Sequence, residues 1–371
     1  MREVDFTSAL GDDQTAIIVL FQGFKKTLAF VVSGTTINGV ELPNCDILKT
    51  RQLGEKWLSN YAEFRKHRNN ARKKALLLSC MDEVLSELYM VVFEPIRQTL
   101  SSNIRKLIFI PHLWLHYFPF HAMHHEVQGF RRYLIDEYDE VSYAPNLSIL
   151  IECRKRKRDQ LMRFVAIENP TDDLPESEVE VAQVLTLFND HTLIGPKHPI
   201  AASADAIVRE THDANIVLCT GHAVGGDPDS AHLVLSNGER FQLLDQLVRL
   251  DLPLCALWDA DTCESAFPTV AFADNWLTLA AAPLYAGART VWSTMWVIDD
   301  TAARVLKQMA YENLLHGRMN KVLALNEAQR QFIKTCREST SVTSPLGRRA
   351  SIFAELEHPF YWASYMAAGA D

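Results

Sequence analysis

Short apolar segments alternate with longer amphipathic ones through the second half of the chain, and this alternation limits the fold more than any other feature. Periodicity predicts buried strands in MRFVAIENP, ANIVLCTGH, LPLCALWDA and RTVWSTMWVI, and helices in ESEVEVAQVLTLF, SADAIVRETH, FQLLDQLVRL and TAARVLKQMAYENLLHG. Strands separated by helices in this way form a parallel or mostly parallel sheet covered on both faces. The sequence therefore predicts an α/β fold.

The first part of the chain follows a different pattern. Its first 40 residues are predicted as β structure, with an Asn-Gly turn signal in TINGVEL, and residues 46–100 as amphipathic helices. A chain of 371 residues is too long for one compact hydrophobic core, so we expect two domains or halves. The basic run RKRKRDQ marks the break, so we predict an N-terminal half over 1–160, with a β-rich start and a helical middle, and a second domain over 161–371.

Composition and charge exclude several classes of protein. Apolar residues make up 48% and charged residues 22%, as in an ordinary soluble globular protein. The net charge of −9 gives no general electrostatic footprint for nucleic acid. No apolar run reaches the roughly 18 residues that span a bilayer, and the N-terminus lacks the apolar region of a signal peptide. We therefore expect a cytoplasmic protein that binds neither nucleic acid nor membranes directly.

Cysteine usage and missing motifs limit the chemistry further. The seven cysteines are widely and unevenly spaced, which does not suggest a disulfide framework, and no CxxC pair offers a zinc site. Neither GxGxxG nor GxxxxGK[ST] occurs. We expect a reducing compartment, no metal and no cofactor.

Two adjacent strand candidates end on residues that could form a catalytic pair. ANIVLCTGH ends on His222, and LPLCALWDADTC ends on Cys263. In an open α/β sheet, functional groups gather at the carboxyl ends of the strands, and a neutral imidazole there could take the proton of a thiol. The spacing alone leaves the alternative open that His222 is an ordinary hydrogen-bonded residue and Cys263 a small hydrophobe.

A resemblance to a known family is carried by eight blocks of sequence that follow one another in order. They are IPHLWLHYFPFHAM, YLIDEYDEVSYAPNLSIL, ENPTDDLPESEVE, CTGHA, LVLSNGERFQLLDQL, DTCES, LAAAPLYAGARTVWSTMWVIDD and HPFYWASYMAAG. Together they resemble the CHAT domain, a caspase-like family of clan CD cysteine peptidases related to separase and metacaspases. The resemblance implies a caspase-like three-layer α/β/α sandwich with a mostly parallel sheet, preceded by an N-terminal pseudo-caspase-like half.

The resemblance also implies roles for particular residues. His222 is expected to be the general base and Cys263 the nucleophile, with the backbone N–H groups of Ala223 and Cys263 as oxyanion donors. The implied activity is that of a cysteine endopeptidase that cleaves a protein substrate through an acyl-enzyme, without a cofactor. A regulatory or activating protein partner is also implied.

Acidic residues near Cys263 suggest a specificity. Arginine-specific metacaspases have an Asp two positions before the cysteine, and this chain has Asp261 there. The resemblance thus implies that Asp261, or Asp259 as second choice, binds a basic P1 residue. Trp296 and Asp299 fall where related peptidases build the wall of the substrate groove. Alternatively, both acids before the cysteine face solvent and Trp296 belongs to the core.

Two departures from the family pattern keep other functions open. Ala223 and Ala266 stand where the family usually has Gly, which is favoured where a chain adopts unusual φ or a substrate approaches closely. One alternative is therefore a catalytically inactive CHAT domain that serves as a protein-interaction or regulatory module. Another is a thiol hydrolase or transferase acting on a small molecule.

Overall fold

The computed structural model describes residues 12–67, 69–156, 160–225, 227–262, 277–297, 299–341 and 355–371. The chain divides into two compact units. The first contains Met1–Tyr143 and Ile333–Ala363, and the second contains Ala144–Phe332 and Ser364–Asp371. No helix among the described residues is long and apolar enough to cross a membrane.

The first unit is built on strands β1 to β4 and β7. An antiparallel meander places them in the order β3-β2-β1, and β4 and β7 continue the sheet in parallel with β1. A hairpin of β5 and β6 lies apart from this sheet. The strands are β1 (Thr15–Gln22), β2 (Thr27–Ser33), β3 (Thr36–Leu42), β4 (Lys106–Ile110), β5 (His124–Val127), β6 (Phe130–Tyr133) and β7 (Glu140–Tyr143).

Among the described residues, four helices lie in the first part of the chain. They are α1 (Ile47–Lys66), α2 (Ala71–Leu88), α3 (Glu94–Arg97) and α4 (Leu134–Glu137). The first two begin where the sequence supplies caps, because the side chains of Asp46 and Asn70 accept hydrogen bonds from backbone N–H groups of the first turn. A π-helical turn, Tyr89–Phe93, joins α2 to α3.

The Asn-Gly turn predicted in TINGVEL is wrong. Asn38 and Gly39 lie inside β3, opposite Val31 and Phe30 of β2. The chain reverses earlier, between Ser33 and Thr36, where Gly34 adopts a φ of +56°. Seven consecutive cross-strand pairs therefore outweigh the local turn preference of Asn-Gly.

The second unit carries the predicted α/β pattern. Its sheet has the order β16-β15-β14-β10-β8-β9, in which every neighbouring pair is parallel except β15 and β16. A small antiparallel sheet of β11, β12 and β13 lies beside it. The strands are β8 (Arg163–Ile167), β9 (Asp190–Ile194), β10 (Ile216–Gly221), β11 (Ala223–Val224), β12 (His232–Val234), β13 (Arg240–Gln242), β14 (Leu257–Thr262), β15 (Thr290–Thr294) and β16 (Tyr365–Gly369).

Helices connect these strands. They are α5 (Leu147–Lys155), α6 (Pro175–Leu185), α7 (Ala204–Thr211), α8 (Ala282–Ala286), α9 (Asp300–Leu315) and α10 (Lys321–Ser341). Of these, α6, α7 and α9 confirm the periodicity of the sequence. The side chain of Ser203 caps α7 by accepting from the backbone N–H of Ala206. All six residues of β10 are buried, which explains its continuous apolar run.

The helix predicted in FQLLDQLVRL is wrong. Phe241 lies in β13 opposite Leu233 of β12, and the backbone N–H of Leu243 donates to Ala231. Phe241 and Leu243 are both buried, with Gln242 exposed between them, so the segment follows the two-residue period of a strand. Only a short 3-10 turn, Leu247–Arg249, forms further along.

Candidate active site

The two predicted reactive residues follow adjacent parallel strands. β10 and β14 pair in register from Ile216 opposite Leu257 to Gly221 opposite Thr262. His222 directly follows Gly221, and Cys263 follows Thr262 in the sequence. Residues 263–276, Cys263 and Ala266 among them, lie outside the described residues.

The glycine before His222 is required by the backbone. Gly221 has a φ of +153°, a value that L-residues rarely adopt. A Cβ atom added there would lie 3.0 Å from Cδ of Pro170, closer than ordinary van der Waals contact. A glycine at this position thus allows the chain to turn at the end of the strand and present His222.

A carboxylate holds the imidazole of His222. The side chain of His222 is 46% exposed, and its Nε2 lies 3.0 Å from each carboxylate oxygen of Asp173. Hydrogen bonds from Thr171 and from His222 lower the pKa of Asp173, so this carboxylate is ionised at neutral pH. The sequence reasoning missed Asp173, although it lies in the block ENPTDDLPESEVE and follows β8, the neighbour of β10.

The loop that carries Asp173 is itself tied down. The side-chain oxygen of Asn169 accepts from the backbone N–H groups of Asp173 and Leu174, at 3.1 and 3.0 Å. The amide of Asn169 donates to Glu178 at 2.8 Å. These bonds fix the loop between β8 and α6, so Asp173 can act as a fixed orienting group for His222.

Ala223 lies in regular strand structure. It begins β11 and pairs with Leu233 of β12, while the carbonyl of His222 accepts from the backbone N–H of Val234 at 3.0 Å. Its φ is not positive. The alanine at this position is therefore free of the strain that would demand glycine.

Asp259 is enclosed by the protein. Its carboxylate is fully buried and accepts from Nζ of Lys307 at 2.6 Å and from the hydroxyl of Tyr311 at 3.0 Å. Burial raises the pKa of Asp259 to about 6, against the attraction of Lys307. The structure does not bring Asp259 to the cleft described below.

Asp261 lies one pleat further along β14 and is nearly buried. Its Oδ1 accepts from the hydroxyl of Tyr365 at 2.7 Å and lies 3.7 Å from Nζ of Lys307, which itself stands 4.6 Å from the centre of the Tyr365 ring. Burial alone would raise the pKa of Asp261, but the charge of Lys307 and hydrogen bonds from neighbouring side chains lower it. Asp261 is therefore ionised.

A cleft of about 300 Å³ lies over the ends of β10, β14 and β15, between α6 and α9. Asp261 and Trp296 belong to its wall, although Trp296 is only 3% exposed. Asp299 does not line the cleft, and its side chain caps α9 by accepting from Thr301 and Ala302. The residues lining the cleft are Asp173, Leu174, Pro175, Glu176, Ser177, Glu180, Gly221, Asp261, Thr294, Trp296, Ala303 and Arg304.

The cleft reaches Asp261 and the immediate neighbours of His222, although His222 itself is not among its lining residues. Gly221 precedes His222 in the chain, and Asp173 bonds to it, and both belong to the cleft wall. The sequence reasoning did not single out Glu180, which lies on α6 and shares this wall with Asp261.

The described cysteines offer no exposed thiol. Cys45, Cys80, Cys153, Cys219, Cys255 and Cys336 are all buried. Burial raises the pKa of Cys219, which lies in β10, to about 12. In the described ranges, no group of three or more His, Cys, Asp or Glu residues is arranged to hold a metal ion.

Comparison with known proteins identifies the family. The sequence matches the CHAT domain over residues 82–370. The chain belongs to the CHAT domain family. A search of curated protein sequences gave no match.

Solved structures support the caspase-like fold. The Saccharomyces cerevisiae separase–securin complex at 2.6 Å resolution aligns with a TM-score of 0.61 and 10% identity, covering 99% of this chain and 31% of the separase chain. The 3.0 Å structure of that complex gives 0.62 and 11%, with 99% and 30% covered. The Porphyromonas gingivalis RgpB pro- and mature domains align at 0.45 and 9%, with 79% and 68% covered.

The two separase alignments confirm the predicted fold class, a caspase-like α/β fold with a mostly parallel sheet. This CHAT chain spans about a third of the separase chain it matches. At this level of identity the likeness is one of fold.

Proposed function

We propose that this CHAT protein is a cysteine endopeptidase in which Cys263 is the nucleophile and His222 the general base. The observation that carries the proposal is the arrangement around His222. This residue follows the end of β10, its ring is bonded to an ionised carboxylate, and the neighbouring strand in register leads to Cys263.

The tautomer of His222 suits this role. Because Asp173 is ionised, it accepts a hydrogen bond from Nε2–H of His222. The proton on Nε2 leaves Nδ1 as the nitrogen with a free lone pair. Nδ1 can then take a proton from the thiol, and the resulting imidazolium is stabilised by the carboxylate beside it.

The proposed reaction has two stages. The thiolate of Cys263 attacks the scissile carbonyl carbon, the C–N bond breaks, and the proton held by His222 passes to the departing amine. Water then attacks the thioester, giving a carboxylic acid and returning a proton to the thiol. Backbone N–H groups of Ala223 and Cys263 are the proposed donors to the oxyanion, worth about 3 kcal/mol each in comparable sites.

We further propose that the substrate is a protein cleaved after a basic residue. Among the described residues, the cleft beside His222 is lined by four acidic side chains and by one basic residue, Arg304. An acidic cleft of this kind favours a guanidinium or ammonium group over an acid. Asp261 and Trp296 remain the proposed wall of this site. The pseudo-caspase-like nature of the N-terminal half, a protein partner and a cytoplasmic location also remain proposals.

Labelling with an arginine acyloxymethyl ketone probe tests the proposal. We expect wild type to be labelled, Cys263→Ala not to be labelled, and Cys80→Ala, which removes a buried thiol, to be labelled as wild type. Asp173→Asn should lower the labelling rate without changing the labelled residue. If wild type is not labelled even in cell lysate, where a partner would be supplied, the alternative of an inactive interaction module is favoured.

A further inference from the structure

We propose that Glu180, rather than Asp261, is the carboxylate that contacts a cationic group in the cleft. The inference deepens the proposed function, because it names the residue that would set basic specificity. It follows from how the carboxylates around the cleft are partnered within the protein.

Asp261 already has its partners. Its Oδ1 accepts from Tyr365 and lies 3.7 Å from Lys307, and Lys307 is 98% buried together with Asp259. The attraction of the two aspartates raises the pKa of Lys307 against the effect of its burial, so its charge is permanent. A substrate cation would have to compete with this internal cation for Asp261.

Glu180 is differently placed. It lies on α6, is only 7% exposed, and lines the cleft. Its Oε1 is buried and has no hydrogen-bond partner among the described residues. A buried acceptor without a partner is costly, and a donor that enters the cleft would satisfy it.

The charges around Glu180 point to a cation as that donor. From β14 it faces Asp259 and Asp261, from α9 Lys307 and Tyr311, and from β16 Tyr365. One lysine cannot balance three carboxylates. Burial, the negative charge of Asp261 and a hydrogen bond to Asp261 raise the pKa of Glu180 well above its usual range, so the Glu180 carboxyl keeps its proton while the cleft holds no cation.

Within the described ranges, the wall of the cleft contains one further cation. Arg304 lies on α9, one turn before Lys307, and is only partly buried. Solvent therefore screens its charge more than that of a group at the depth of Glu180. Glu176, one turn before Glu180 on α6 and also part of the wall, is exposed to solvent and serves as a matched control.

An amidinium, guanidinium or primary ammonium group is the ligand class that fits. Such a group brings the missing positive charge and donates to the unpartnered oxygen of Glu180. The carboxyl of Glu180 then gives up its proton to solvent as the cation enters. Binding should thus be accompanied by release of up to one proton per ligand.

Titration calorimetry with benzamidine tests this inference. The protein carries Cys263→Ala, so that hydrolysis plays no part, and the titration is repeated in two buffers of different ionisation enthalpy. We expect binding with proton release. Glu180→Gln should weaken binding about 10- to 100-fold, as expected for loss of a charged hydrogen bond, and abolish the proton release. Glu176→Gln should change affinity less than about threefold.

Several outcomes would overturn the inference. They are no benzamidine binding, equal losses in the Glu180 and Glu176 variants, or proton release that persists in Glu180→Gln. Thermal unfolding of each variant shows that it is folded. The proposed function fails separately: if wild type cleaves no peptide but the Cys263→Ala protein binds benzamidine with proton release, the cation site stands without the peptidase.

Discussion

The ends of parallel strands are finished differently in the two units. In the first unit, aromatic rings cover the ends of β4 and β7. The ring centres of Phe109 and Phe120 are 4.7 Å apart, and the ring of Phe120 stacks on that of Tyr143. His121 is buried there, with Nδ1 2.8 Å from the hydroxyl of Tyr143. In the second unit, the ends of β10 and β14 carry glycine, an exposed histidine and carboxylates.

Solvent exposure and the hydrogen-bond partner together decide whether a histidine has a structural role or can take part in chemistry. Burial lowers the pKa of His121 to about 3, so it stays neutral and only holds the packing together. His222 is half exposed and hydrogen-bonded to the carboxylate of Asp173, which is the placement that the proposed general base requires. Packed rings cover the strand ends of the first unit, whereas charged side chains lie at the ends of β10 and β14 in the second.

The largest expected effect comes from exchanging the two histidines for alanine. His222→Ala should reduce peptidase turnover by about 10²- to 10⁴-fold, the usual contribution of a general base, while the unfolding temperature changes little. His121→Ala should lower the unfolding temperature and leave turnover unchanged, because it leaves a cavity and removes the ring nitrogen bonded to the Tyr143 hydroxyl. Turnover and thermal unfolding of both variants check this. Loss of activity in His121→Ala with its fold intact would show that His121 does more than hold the packing together.

The next effect concerns the buried charges near the end of β14 in the second unit. Lys307→Met removes the cation between Asp259 and Asp261 and should lower the free energy of unfolding by about 3–5 kcal/mol, because two buried carboxylates lose their partner. Arg304→Met, one turn earlier on α9 and partly exposed, should cost less than about 1 kcal/mol. Urea unfolding measures both. Equal losses in the free energy of unfolding would mean that the buried charge of Lys307 does not stabilise the end of β14.

The sequence predicted the fold of the second unit well where burial sets the pattern. The buried strands β10, β14 and β15 and the helices α6, α7 and α9 each carry a run long enough to show their period. The prediction failed in FQLLDQLVRL because the spacing of its leucines fits a helix as well as a strand. The pairing of Phe241 with Leu233 decides in favour of the strand. Pairing between two strands across the loop from 235 to 239 is not visible in local periodicity.

Prediction of the site depended on neighbours in the chain. His222 was proposed because it ends a strand, whereas Asp173 lies 49 residues before it and Glu180 lies 81 residues before its neighbour Asp261. Only the sheet order, with β8 beside β10, brings these loops and helices to one cleft. The role of Asp259 was hardest to anticipate, because the partner that encloses it, Lys307, comes from α9.

The smallest effect is an opposite response of the two units to pH. The folded-state pKa of His121 lies below its ordinary value of 6.5, so its contribution to stability is present above pH 6.5 and is lost as the pH falls toward 3. The pKa of Glu180 is raised above 4.5, so its contribution is present below pH 4.5 and is lost as the pH rises through the raised value. Each slope is at most about 1.4 kcal/mol per pH unit.

Difference curves separate the two groups. Urea unfolding of wild type and of Glu180→Gln between pH 5 and 8 should give a variant that gains stability relative to wild type as the pH rises, because glutamine cannot ionise. The same comparison with His121→Ala should show the variant's deficit shrinking as the pH falls below about 6.5, since alanine has no proton to gain on unfolding. Parallel curves for Glu180→Gln and wild type would mean that Glu180 is already ionised in the folded protein. In that case the negative charges at the ends of β10 and β14 would be compensated without a ligand. The second unit would then not differ from the first in needing a bound cation at its strand ends.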